Sequence, residues 1–119
     1  MTYSYIGDGL ISIVNPISME ILTQITTGGT PGYPVETGSG FAAGDGWSSD
    51  AVFFYDEGGT LTDIWNTGVN ATGLTISGDT LYLTDFNEDM VYLADWTSKV
   101  MLDSLPAGDG PQGIVAVER

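Results

Sequence analysis

The side chains available for chemistry in this sequence are carboxylates, hydroxyls, phenols and amides, with two cations. It has no histidine and no cysteine, and Lys99 and Arg119 stand against sixteen Asp and Glu. That excludes thiol redox chemistry, disulfides, Cys/His zinc sites and any nucleophile activated by histidine. Two cations cannot build a phosphate clamp or a nucleic-acid groove, so nucleic acid is not an expected partner. Carboxylates remain. Asp85, Asn87 and Asp89 have the spacing of the first three ligands of a calcium loop. Met90 stands where that loop needs glycine, and Trp96 where it needs a bidentate Glu. Calcium is therefore the one metal suggested, through Asp85, Asn87 and Asp89, and no cofactor is implied. Paired carboxylates can also hydrolyse glycosides. The sequence does not choose a pair, so no catalytic residue is assigned. Asn70-Ala71-Thr72 fits a glycan acceptor.

Something must hold these groups in place. The net charge is −14 on 119 residues, yet 42% of the chain is hydrophobic, with three Trp, six Tyr and four Phe. That is enough apolar material for a core, and the length suits one domain over residues 1–119. No stretch approaches the apolar length of a membrane span, and Met1 to Ile6 lack the basic-then-apolar pattern of a secretory signal. The charge favours a soluble protein that anionic membranes repel. Neither charge nor composition names a compartment.

The chain matches itself at a spacing of 40 residues, as in Gly28, Gly68 and Gly108, or Ile21, Leu61 and Met101. Ile25, Trp65 and Leu105 align in the same way, as do Asp45 and Asp85. The repeats run approximately over 1–40, 41–80 and 81–119. Each reads as short strands between turn clusters: Leu81 to Thr84, Met90 to Ala94, Val100 to Leu105 and Gly113 to Val117 in the last unit. Leu74 to Leu83 predicts a hairpin turning at Ser77-Gly78-Asp79-Thr80. No window carries a helical period. Four strands per unit of this length is the arithmetic of β-propeller blades, and the expected class is all-β.

Val91 to Asp95, Lys99-Val100 and the run from Leu105 through Pro111 to Val117 resemble the repeat of YVTN/NHL-like β-propellers. The first unit is similar at Ile13 to Asn15, Ile21 to Ile25 and Gly28 to Pro31, but carries Tyr33-Pro34 where the third has Gly113-Ile114. The middle unit has Ala71 in place of the proline. The resemblance implies three four-stranded blades per chain. Propellers close with more blades than three. The last segment, Ile114 to Val117, should be the inner strand of a further blade, and Thr2 to Ile6 the second strand of another. Two copies head to tail would close six blades, which predicts a homodimer. A β-trefoil monomer also has three such repeats and is the alternative architecture. Completion of the ring by a different protein is a third reading.

In such a blade the loops between second and third strands share one end of the ring with the loops between blades. That end gathers Asp8, Asp45, Asp50, Asp85, Glu88, Asp89 and Asp109, with Tyr33, Trp47 and Phe86 among them. Tyr33, Asp45, Trp47, Asp50, Asp85 and Asp109 are the candidate ligand-binding residues, for a small molecule, a sugar or a basic peptide. The competing reading is that Asp and Gly simply make turns there. The expected role is a ligand-binding or structural module. A small carboxylate-based hydrolase or lyase with its site at the channel is the alternative.

Overall fold

The computed structural model describes residues 10–27, 31–45 and 50–117. Among them are ten strands and no helix. β1 (Leu10–Val14) and β2 (Ile21–Thr26) form a two-stranded sheet. β3 (Val35–Glu36), β4 (Gly40–Gly44), β5 (Ala51–Asp56) and β6 (Leu61–Asn66) form a second sheet in chain order. β7 (Ala71–Ser77), β8 (Thr80–Asp85), β9 (Met90–Asp95) and β10 (Val100–Pro106) form a third in the same way. Every pairing is antiparallel. The three sheets are separate meanders, the blade arrangement, and among the described residues no strand of one sheet joins another.

The second and third sheets take their inner strands, β3 and β7, from the end of the preceding repeat. The proline of the first unit has a visible cost. Pro34 cannot donate to a ladder, and β3 is only two residues long, whereas β7 runs for seven. The expected inner strand over Gly113 to Val117 is not a strand in the single chain. No described strand pairs with it, and a strand exists only in a ladder. Thr2 to Ile6 lie outside the described residues.

The core lies between the second and third sheets. Ala42, Val52, Phe54 and Trp65 share one face of the second sheet through cross-strand pairing. They bury against Leu74, Leu81, Leu83 and Ala94 of the third. Gly44 lies so close to this neighbour that an added Cβ would fall 2.5 Å from the Ala71 carbonyl oxygen. The other face of the second sheet meets the first hairpin, where a Cβ at Gly59 would touch Ile13 and Ile25.

Candidate functional site

Four of the described turns are built by one recurring device. An Asx residue at a strand end folds its side-chain oxygen back onto the backbone amides that follow. Asp85 Oδ1 accepts from the amides of Asn87 (3.0 Å) and Glu88 (3.1 Å). Asp95 Oδ1 accepts from Thr97 and Ser98, both at 3.0 Å. Asn15 Oδ1 accepts from Ile17 at 2.9 Å and Ser18 at 3.2 Å. In all three the fourth residue after the Asx has a left-handed backbone: Met19 at φ 61°, Asp89 at 56° and Lys99 at 59°. Asp56 makes a shorter version closed by Gly59, at φ 89°.

In the second and third sheets a further device ties the loop between second and third strands to the loop that leaves the sheet. The Asp50 carbonyl accepts from the amides of Thr67 (2.9 Å) and Gly68 (3.1 Å), and its carboxylate bonds the Asn70 side chain. One repeat later, the Asp89 carbonyl accepts from Ala107 at 2.8 Å and its carboxylate from the Gly110 amide at 2.8 Å. The predicted site residues that are described lie at the same end of the second and third sheets as this network. Asp45 is buried at the end of β4, bridged to Pro31, and Asp85 is buried at the end of β8. Tyr33 is exposed, with its amide bonded to the Thr72 carbonyl at 3.0 Å. Asp50, Asn87 and Asp109 are exposed. Trp47 and Asp8 lie outside the described residues.

These acidic groups are spread along the rim. Among the described residues no group of three or more carboxylates stands close enough to hold a metal ion. Asp85 and Asp89, two of the three candidate calcium ligands, turn carboxylate oxygens to backbone amides. Nearby Tyr92 has its phenol pKa raised, first by burial and then by the negative charges of Asp85 and Glu88. Burial alone raises that of Tyr55.

The opposite end holds a groove whose residues the sequence did not bring together. A cavity of about 350 Å³ opens between the second and third sheets, lined by Phe54, Asp63, Trp96 and Lys99 with threonine and serine hydroxyls. Trp96 stacks parallel to Phe54 at 6.2 Å and is pinned by its ring N–H donating to the Gly78 carbonyl at 3.0 Å. Lys99 reaches from the β9–β10 turn across to Asp63 at 2.7 Å, with its ammonium 5.8 Å from the Phe54 ring centre. That contact draws the Asp63 pKa down. Bonds from the Ser98 amide and the Thr97 hydroxyl do the same for Asp95. The signal that was legible was the rarity of Lys99 in so acidic a chain.

No family model matches the chain, and no curated protein matches it. Among solved structures, a chain of dihydro-heme d1 dehydrogenase NirN in complex with DHE superposes with a TM-score of 0.68 at 18% identity. The match covers 91% of this chain and 25% of that one, so this chain spans about a quarter of the neighbour's length. Its propeller-like fold agrees with the separate meander sheets described above. No described helix is long and apolar enough to cross a membrane.

Proposed function

We propose that this chain is half of a six-bladed ring, made of YVTN/NHL-like propeller blades and closed by a second copy. The ring serves as a ligand-binding or structural module. One observation carries the reading. Val52, Phe54 and Trp65 on the second sheet are covered by the third, and Trp65 is 8% exposed. Their counterparts one repeat later are Val91, Leu93 and Leu105, on the outward face of the third sheet. Leu105 is 51% exposed. Val91 and Leu93 are half-buried, so the counterpart face is covered less than the junction.

The path of the last segment supports the same reading. The Thr72 carbonyl accepts from the Tyr33 amide, where the chain enters β3. One repeat on, the Gln112 carbonyl abuts Gly73 and accepts from the Thr84 hydroxyl at 2.7 Å. Gln112 thus stands to the third sheet as Thr72 stands to the second. Residues after it follow the station of a further inner strand, and their exposure alternates with period two from Ile114 to Val117. In the ring this strand completes the partner's first hairpin into a four-stranded blade. The acidic end that carries Tyr33, Asp45, Asp50, Asp85 and Asp109 then rims the channel on both copies. It suits a sugar, another small polar molecule or a basic peptide.

Light scattering on the 119-residue chain tests this. The expected mass is twice the 12.6 kDa of one chain. A well-folded monomer at micromolar concentration overturns it.

A further inference from the structure

We infer that the tip of the first hairpin, Ile17 to Met19, is the element that docks on the outward face of the third sheet of a second copy, at Leu93 and Asp103. The inference rests on the ring reading above and names the contact that closes it.

Ile17 and Met19 are 93% and 73% exposed, the highest and third-highest values among the exposed large hydrophobic side chains described. The described residues of the same chain cover little of either side chain. Their turn is a copy of another. Asn15 to Met19 and Asp95 to Lys99 share the same side-chain cap and the same left-handed closing residue, 80 positions apart. The second of these turns already docks inside the chain. Lys99 crosses from it onto Phe54 and Asp63 of the preceding sheet, and Trp96 stacks on Phe54.

The receiving surface is copied too. Leu93 holds the place of Phe54, Asp103 that of Asp63, and Leu102 that of Thr62. Asp63 Oδ1 accepts from the next amide, Ile64, at 2.9 Å, and Asp103 Oδ1 accepts from its next amide, Ser104, at 2.8 Å. Both pairs of strands carry a register shift at the same point, after Phe54 on β5 and between Met101 and Asp103 on β10. Leu102 is 57% exposed. At the outer surface the ionic contact of Lys99 gives way to an apolar one, with Met19 of one copy over Leu93 of the other. A chain of net charge −14 meeting its own copy gains from a contact without added carboxylates. Because the operation that brings Met19 to Leu93 is a two-fold, the contact occurs twice and the assembly closes.

The test uses the absence of cysteine in the parent chain. Met19→Cys and Asp103→Cys are combined in the full-length chain and treated with a short bis-maleimide, beside light scattering of the same sample. The expected result is a covalent dimer, formed without a ladder of larger species, in a protein that melts like the parent. A dimer by light scattering that does not cross-link overturns this contact while leaving the dimer standing. A monomer that does not cross-link overturns both readings. A charge exchange gives an independent measure. Met19→Glu places a carboxylate beside Asp103 and weakens dimerisation roughly tenfold or more, and adding Asp103→Lys restores it. Failure of the second substitution to restore the dimer also counts against the contact.

Discussion

The junction between the second and third sheets and the outward flank of the third are built from corresponding residues, yet the first buries its central side chains, beside a groove at one end, and the second leaves its own more exposed. At the junction Trp65 fills the space over Leu74, Leu81 and Leu83. On the flank Leu105 holds Trp65's place and faces outward. Gly44 leaves room for Ala71 at the junction, whereas Thr84, at the corresponding place on β8, uses its hydroxyl to hold Gln112. The difference teaches that burial in a repeat protein belongs to the pair of units and not to the residue. A side chain is core only when the next unit is present.

Truncation separates the two regions most strongly. Trp65→Ala should cost about 3–5 kcal/mol of stability, the range for a large aromatic removed from a packed core. Leu105→Ala in the isolated chain should cost under about 1 kcal/mol, because little area is lost to water. Both are read by denaturant melts at concentrations below assembly. At assembling concentrations Leu105→Ala should instead raise the dimer dissociation constant. Equal losses in the dilute chain would break the comparison.

Overfilling the junction comes next. Gly44→Thr copies the residue found at position 84 and drives a Cβ into Ala71, for about 1–3 kcal/mol. The reverse change, Thr84→Gly, should release the last segment, seen as faster proteolysis after Gln112, with a smaller drop in melting temperature.

Turn chemistry gives a comparable or lesser effect. Asp85→Ala removes a buried cap from two amides and should cost about 1–3 kcal/mol in a thermal melt. Met19→Gly, at an exposed left-handed position, should leave the dilute chain's stability almost unchanged.

Protonation is the smallest lever. Asp63 and Asp95 have folded-state pKa values below the ordinary carboxylate value, so each stabilises the fold above that value. The contribution is lost as pH falls through the depressed value. A melting temperature that declines only below about pH 4 is expected from these two groups, and Lys99→Met should remove the Asp63 share. A decline that begins near neutral pH would point to other groups.

Much of this was legible in the sequence. The spacing of 40 placed β8, β9 and β10 to within a residue, and it placed the turn at Gly78-Asp79, because apolar alternation and Asx or Gly turns are local signals. Tyr33-Pro34 marked the weak inner strand. Gly113 to Val117 also read as a strand, but pairing is not a local property and the single chain gives that segment no neighbour. Asp45, Asp50, Asp85 and Asp109 could be grouped from strand order alone, because loop direction alternates along a meander, whereas Asp8 and Trp47 lie outside the described residues. The sequence could not show that Asp50 and Asp89 bond to the loops between sheets, or that Asp85 folds onto its own turn. The groove of Lys99, Asp63, Phe54 and Trp96 escaped for the same reason. Its members come from two strands of one sheet and a turn of the next, and only the packing of the two sheets brings them together.

The account turns on whether the last segment acquires a ladder. In the single chain Val115 and Val117 are 77% and 71% exposed and belong to no strand. Amide hydrogen exchange over 113–117, followed from high to low protein concentration, reads this directly. Protection at high concentration that disappears on dilution, in step with loss of the dimer, is the predicted result. Fast exchange at every concentration would contradict it.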